Sequence, residues 1–147
     1  MSKEKIRVLL TKLGIDIHDI GIKNLALSLR EKGMEVIYTG FRMPTEAIPK
    51  IAIEEDVDVI GVSFLQGAHL ALAPLLIEQL EEAGVKDIPI ILGGIIPQKD
   101  IPILKEKGIT EVFLPGTGFD EIVSFIEALA GPGKQREGKT KNQSQLT

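Results

Sequence analysis

The sequence predicts an α/β protein built on one parallel sheet of five strands, with helices on both of its faces. Short β-branched runs alternate with helical patterns five times along the chain. The runs are too short and too continuously apolar for amphipathic helices, which is typical of strands buried on both faces. The connections are also short, so each helix can lead into the next parallel strand by a right-handed crossover.

The elements follow one another in a regular order. Strands are predicted at residues 6–11, 34–39, 57–63, 88–92 and 111–114, and helices at residues 21–32, 45–55, 70–83, 99–107 and 119–130. The first helix has apolar residues at three- and four-residue spacing from Ile22 to Leu29 and ends at Gly33. Gly84 and Gly108 are the predicted C-caps of the third and fourth helices. These five βα units predict a doubly wound, flavodoxin-like sheet with strand order 2-1-3-4-5.

The composition favours a single soluble domain. A chain of 147 residues with 44% hydrophobic and 26% charged residues can bury a complete core. A net charge of −4 and 4% aromatic residues do not provide the basic surface and the stacking side chains that bind nucleic acid. The lack of cysteine excludes disulfides, thiolate metal sites, iron–sulfur clusters and cysteine nucleophiles. Neither a secretory signal nor an apolar run of about 18 residues is evident, so we expect a cytoplasmic protein.

The last segment differs from the rest of the chain. Residues 131–147 contain four basic residues, one glutamate and almost no apolar side chains. Such a segment cannot bury enough surface to offset the loss of conformational entropy on ordering. We therefore expect a folded domain at residues 1–130 and a disordered polar tail at residues 131–147.

The loops that follow parallel strands meet at one edge of the sheet, where doubly wound proteins bind ligands. Four of these five loops are rich in glycine, which lets a ligand approach the backbone closely. They predict a crevice for a bulky and mostly neutral ligand. The first loop also carries Asp16-Ile17-His18-Asp19-Ile20-Gly21. A histidine steered by a carboxylate in such a loop is chemically a metal ligand or a general base.

Several ligand classes that use this fold are disfavoured. Neither the P-loop pattern nor the Gly-x-Gly-x-x-Gly of dinucleotide sites is present, and the phosphate loop of flavodoxins is missing as well. A response-regulator receiver would need an acidic pair after the first strand and an aspartate after the third. This chain has Thr11-Lys12 and Ser63 at those places.

Three motifs occur in order on three of these loops: Asp16-x-His18-x-x-Gly21, Ser63-x-Leu65 and Gly93-Gly94. With them, residues 5–130 resemble the cobalamin-binding domain of coenzyme-dependent mutases and corrinoid methyltransferases. Lys12-x-Gly14, Gly67-Ala68-His69 and Pro115-Gly116-Thr117 make the chain most similar to the acyl-CoA mutases, above all methylmalonyl-CoA mutase. Ile17 and Ile20 differ from that branch, which often has glycine and arginine at these positions. The hexapeptide therefore also resembles that of the corrinoid methyltransferases.

The resemblance implies the small subunit of an adenosylcobalamin-dependent acyl-CoA mutase, an isomerase that rearranges carbon skeletons by radical chemistry. It implies that cobalamin binds base-off, with His18 as the lower axial cobalt ligand. Asp16 and Lys12 would complete a Lys–Asp–His triad, with no other catalytic residue in this subunit. The cofactor-binding residues that the resemblance implies are Asp16, Ile17, His18, Asp19, Ile20, Gly21, Leu25, Ser63, Leu65, Gly67, Gly93, Gly94, Phe113, Gly116 and Thr117.

The resemblance also implies a partner, a large TIM-barrel subunit that binds the acyl-CoA, without which this chain would be inactive. No nucleic acid or membrane partner is expected. The acyl group stays open among methylmalonyl, isobutyryl, 2-hydroxyisobutyryl and others.

Three alternatives stand beside this reading. The first is a corrinoid protein for methyl transfer, and the second is a cobalamin carrier or sensor module. The third is a simple divalent metal site at Asp16, His18 and Asp19. Outside the resemblance, Asp16 or Asp19 could cap the first helix, and His69 is expected to be a structural or rim residue.

Overall fold

The computed structural model describes residues 5–12, 20–40, 44–64, 69–85 and 87–130. Within them, five strands form one sheet with the order β2-β1-β3-β4-β5, and every neighbouring pair is parallel. The strands are β1 (Arg7–Lys12), β2 (Glu35–Tyr38), β3 (Val59–Phe64), β4 (Ile90–Gly94) and β5 (Glu111–Phe113). The predicted fold class and strand order are therefore confirmed.

Helices cover both faces of the sheet. They are α1 (Ile20–Glu31), α2 (Ala47–Glu55), α3 (His69–Glu82), α4 (Ile101–Lys107) and α5 (Phe119–Ala130), and a 3₁₀ turn (Gln98–Asp100) precedes α4. The prediction started the fourth helix at Lys99, two residues too early. Pro102 explains the start, because proline lacks an N–H and is well suited to the first turn of a helix.

The ends of β3 and β4 also differ from the prediction. Gly93 and Gly94 were expected in a loop, but they are the last two residues of β4 and align in the ladder with Ser63 and Phe64. Glycine keeps both its N–H and its C=O, so the ladder can continue through two glycines where a motif alone reads as a turn. The candidate site consequently begins inside the sheet, at the last residues of the strands.

Alternate residues of the strands build two cores. Leu9, Ile60 and Leu92 belong to the core that includes residues of α2, α3 and α4. Their neighbours Leu10 and Ile91 belong to the core that includes residues of α1 and α5. Each fully buried side chain of this size contributes roughly 1.5–3 kcal/mol by leaving water. Helices on both sides explain why the strands read as continuous apolar runs.

Two predicted helix ends are confirmed. Gly84 has φ +82° and Gly108 has φ +124°, a region that residues with a side chain rarely adopt. Val85 N donates to Leu80 O at 2.9 Å beyond α3. This hydrogen bond occupies one of the carbonyls that the end of a helix leaves open.

Two expectations about the whole chain stay predictions. Within the described ranges, no helix is long and apolar enough to cross a membrane. The cytoplasmic location stays a prediction. So does the division into a domain at residues 1–130 and a tail, because residues 131–147 lie outside the described part of the chain.

Candidate functional site

A cavity of about 350 Å³ lies on the face of the sheet covered by α1 and α5 and reaches the carboxyl ends of the strands. Its lining comes from every strand except β2, from both helices, and from the connections after β4 and β5. The lining residues are Leu10, Gly21, Ile22, Leu25, Gly61, Val62, Ser63, Ile91, Leu92, Gly93, Gly94, Ile95, Phe113, Leu114, Pro115, Gly116, Thr117, Phe119 and Ile122.

The register of the sheet aligns four predicted site residues in one row. Lys12 is the partner of Ser63, Ser63 of Gly93, and Gly93 of Phe113, across β1, β3, β4 and β5. These residues are far apart in the sequence, and only strand order and register bring them together. The row forms the carboxyl edge of the sheet at the cavity.

A second row, two residues deeper in the strands, forms the floor of the cavity. Leu10, Gly61 and Ile91 are partners in the ladder, and all three line the cavity. A Cβ on Gly61 would lie 2.8 Å from Leu10 Cδ2, so only glycine leaves this leucine in place. The sequence prediction missed this floor, although a glycine inside a β-branched strand signals a close approach at that point.

Three other glycines of the lining differ in what requires them. Gly94 has φ +124°, and a Cβ there would lie 1.7 Å from Phe64 O, so the fold itself requires glycine. A Cβ on Gly93 would make an ordinary contact of 3.8 Å with Phe113 O, and one on Gly21 would meet nothing within 4 Å. Packing within the described chain therefore does not require glycine at these two positions. Their lack of a side chain widens the cavity.

The lining is almost entirely apolar. Among the described lining residues, only Ser63 and Thr117 have polar side chains, and none has an ionisable one. The Thr117 hydroxyl donates a hydrogen bond to Leu114 O at 2.7 Å, which fixes the turn after β5. Such a cavity suits a flat apolar group that needs one or two hydrogen bonds.

The predicted binding residues divide into three sets. Those that line the cavity are Gly21, Leu25, Ser63, Gly93, Gly94, Phe113, Gly116 and Thr117. Those that lie outside the described residues are Asp16, Ile17, His18, Asp19, Leu65 and Gly67, and with them the proposed divalent metal site. Ile20 is the first residue of α1, and its side chain is not described.

Lys12 is completely buried at the end of β1 and does not line the cavity. A buried ammonium is unfavourable unless an opposite charge or hydrogen bonds compensate it. Its expected partners in the triad, Asp16 and His18, lie outside the described residues. The role of Lys12 in that triad stays a prediction.

A buried polar pair lies between the connections that follow β3 and β4. His69 Nε2 is 2.8 Å from Asp100 Oδ2, and the two residues are 4% and 6% exposed. His69 is thus a buried residue and not a rim residue. The sequence offered no signal for this pair, because its members are 31 positions apart and belong to different βα units.

The chain matches the family model described as "B12 binding domain" over residues 6–123. It is 42% identical over 129 residues to the small subunit of 2-hydroxyisobutanoyl-CoA mutase from Aquincola tertiaricarbonis, covering 88% of this chain and 95% of that subunit. It is 44% identical over 124 residues to the pivalyl-CoA mutase small subunit from Xanthobacter autotrophicus, covering 84% and 83%. Methylmalonyl-CoA mutase from Cereibacter sphaeroides is 41% identical over 121 residues, which are 82% of this chain and only 17% of that enzyme.

Solved structures share the fold at lower identity. A cobalamin-binding protein from Desulfitobacterium hafniense DCB-2 superposes with a TM-score of 0.75 at 20% identity, covering 87% of this chain and 60% of that one. The receiver domain of the response regulator NarL from Mycobacterium tuberculosis gives a TM-score of 0.67 at 15% identity, covering 88% and 99%. At these identities the likeness shows the fold alone.

Proposed function

The chain belongs to the family of B12-binding domains, and we propose that it is the cobalamin-binding small subunit of an adenosylcobalamin-dependent acyl-CoA mutase. The observation that carries cofactor binding is the apolar cavity at the carboxyl edge, with glycines that its own packing does not require. The assignment to a mutase subunit is supported by a relative of the same kind that matches along 95% of its length.

The described residues fit the nucleotide tail of cobalamin in size and chemistry. A cavity of about 350 Å³ lies within the range of small-molecule sites, roughly 300–1,000 Å³. The tail ends in dimethylbenzimidazole, a flat apolar base with a ring nitrogen that accepts a hydrogen bond. We propose that Ser63 donates to this nitrogen, that Leu25 and Phe113 pack against the ring, and that Gly93 provides room for the tail.

The cobalt ligand is proposed to come from the first loop. His18 would bind cobalt through one ring nitrogen, and Asp16 would accept a hydrogen bond from the other, which fixes the tautomer and raises the basicity of the ligand. The complete burial of Lys12 supports the triad, because Asp16 carries the opposite charge four residues further on. When bound, adenosylcobalamin supplies the radical chemistry of the isomerisation, and this chain holds and orients it.

The acyl-CoA is proposed to bind to a separate large TIM-barrel subunit. The described residues form five βα units, and the cavity at the carboxyl edge of their sheet is already assigned to the cofactor tail. Ile95 is 62% exposed beside the cavity, an apolar surface that a partner subunit would cover. Two of the relatives are themselves named small subunits. Their names also favour an acyl-CoA that is branched next to the thioester as the substrate class.

The proposal is tested by reconstitution. The purified chain is mixed with adenosylcobalamin and branched acyl-CoAs, with and without a large mutase subunit, and products are measured by chromatography. Rearranged acyl-CoA is expected only when both subunits are present. Isomerisation by this chain alone would contradict the subunit assignment, and absence of cobalamin binding by the chain would contradict the cofactor assignment.

The cobalt ligand is tested by electron paramagnetic resonance of the cob(II)alamin form, with the protein labelled with ¹⁵N-histidine. We expect an axial ¹⁵N coupling that is lost in His18→Ala. The chain has only two histidines, so His69→Gln, measured at saturating cobalamin, is a matched control that should keep the coupling. A labelled signal that survives in His18→Ala would overturn the assignment.

A further inference from the structure

His69 and Asp100 connect two segments that border the candidate site. His69 is the first residue of α3, which follows the loop after β3. Asp100 ends the 3₁₀ turn after β4. The bond between His69 Nε2 and Asp100 Oδ2 therefore links the start of α3 with the residue directly before α4. Ser63, near the end of β3, lines the cavity, and so does Ile95, which directly follows β4.

The same two segments are also joined at their strand ends. Ile95 N donates to Phe64 O at 3.2 Å, and Gly94 packs so closely on Phe64 that no side chain would fit between them. Phe64 is thus joined to Gly94 and Ile95 near the sheet, and His69 is joined to Asp100 farther out. Among the described residues, the His69–Asp100 pair is the side-chain hydrogen bond between the start of α3 and the turn before α4.

The chemistry of the pair argues for a role in geometry. A buried histidine–carboxylate pair loses hydration, and apolar residues of similar size often give equal or greater stability. Asp100 lies directly before α4, where an aspartate commonly caps the helix, yet its side chain makes no capping hydrogen bond there. The carboxylate is directed to His69 instead. A directional bond of this kind specifies one arrangement of two segments, which apolar contact does not.

We propose that His69 and Asp100 are a positioning pair that holds the start of α3 against the turn before α4, and with it the shape of the cavity that takes the nucleotide tail of cobalamin. This inference rests on the proposed function. Neither residue lines the cavity, so the pair acts through Ser63, Gly94 and Ile95, which do. The pair should therefore affect cofactor affinity more than it affects the stability of the free chain.

The test uses the full chain without its partner and adenosylcobalamin as the probe. The double variant His69→Leu/Asp100→Leu removes the bond without leaving either polar group buried and unpaired. Cobalamin affinity is measured by equilibrium dialysis, and thermal unfolding is measured without ligand. We expect this variant to weaken cobalamin binding about tenfold or more, as is common when a supporting contact of a site is lost. Asp100→Asn, whose amide oxygen can still accept from Nε2–H, should stay within about threefold of the wild type.

Ile48→Val is the control, because it removes one buried methyl group from α2, away from the cavity. It should lower the unfolding temperature without changing affinity, whereas the double leucine variant should lower affinity with no larger thermal shift. Unchanged affinity in the double leucine variant, or an equal loss in Asp100→Asn, would overturn the positioning role. Failure of the wild-type chain to bind cobalamin would instead contradict the proposed function, and this inference with it.

Discussion

Gly93 and Gly94 are adjacent, but different constraints act on them. The backbone of Phe64 excludes any side chain at Gly94, and its φ of +124° is unfavourable for other residues. At Gly93 the protein itself has room for a methyl group, and the cavity is what that group would enter. Gly94 is therefore required by the fold, whereas the requirement for glycine at Gly93 is proposed to come from the ligand.

This difference can be measured with two single substitutions. Gly94→Ala should lower the free energy of unfolding by about 1–3 kcal/mol or more, because the backbone of Phe64 must move. Gly93→Ala should change it by no more than about 1 kcal/mol, but it should weaken cobalamin binding. Urea unfolding of the ligand-free chain and equilibrium dialysis provide the two values. Normal stability in Gly94→Ala would show that the close approach to Phe64 is not a constraint.

Residues of the site could be predicted from the sequence where they lie in local motifs. Ser63 and Gly93 come at the end of β-branched runs, and each belongs to a short motif that can be recognised in the sequence. Leu10 and Gly61 could not be identified in the same way, because they line the cavity only through the register of β1 and β3. The His69–Asp100 bond depends similarly on how two helices begin relative to one another.

At the scale of elements, an ion pair joins α4 to β5. Lys105 Nζ lies 2.9 Å from Glu111 Oε1, and both side chains are partly exposed. The hydrogen bond from Lys105 holds the pKa of Glu111 below its ordinary value of 4.5, while burial acts in the opposite direction and the N–H of Val112 adds to the lowering. Because the pKa is lowered on folding, the ionised carboxylate stabilises the folded chain above the unfolded pKa.

Lys105→Met should therefore destabilise the chain at neutral pH and less so in acid. The expected loss at pH 7 is at most about 1 kcal/mol, since water screens a partly exposed pair. The difference from the wild type should shrink as the pH falls from 4.5 through the lower pKa of the folded state. Urea unfolding at several pH values measures it, and Glu111→Gln should remove the same pH dependence. An equal loss at neutral and acid pH would contradict the assignment.

The helices and strands could be predicted from the sequence to within a few residues. The positions of their ends show what limits the accuracy. The ends of α3 and α4 were correct because glycines with positive φ mark them locally. The end of β4 was wrong because its pairing with β3 carries the strand through both glycines. Tertiary pairing, which a single segment does not reveal, decides where a strand stops.

At the scale of the whole molecule, the sheet could be predicted because alternating elements with short connections leave few topologies. The face of the sheet that carries the cavity could not be predicted, because the cavity depends on how α1 and α5 pack against the strands. The last element of the described fold is α5, and its last residue, Ala130, is completely buried. Residues 131–147 begin directly after it and lie outside the described residues.

A chain truncated after Ala130 should keep both its stability and its affinity for cobalamin. The tail is polar, glycine-punctuated and without periodicity, so it has little to contribute to a core. Thermal unfolding and equilibrium dialysis of the truncated and full chains test this expectation. Loss of either property on truncation would show that the tail packs against the domain.

The apolar cavity also bears on the lifetime of the protein in a cell. Its lining residues come together only when the chain folds, so a ligand that binds there binds only the folded chain and shifts the equilibrium away from unfolded forms. At a ligand concentration of 100 times the dissociation constant, the gain is about 2.7 kcal/mol. Proteases act on the unfolded population, and their action falls as that population shrinks. Cells grown without cobalamin should therefore contain less of this protein at equal messenger levels, so that the supply of the vitamin sets the amount of the subunit.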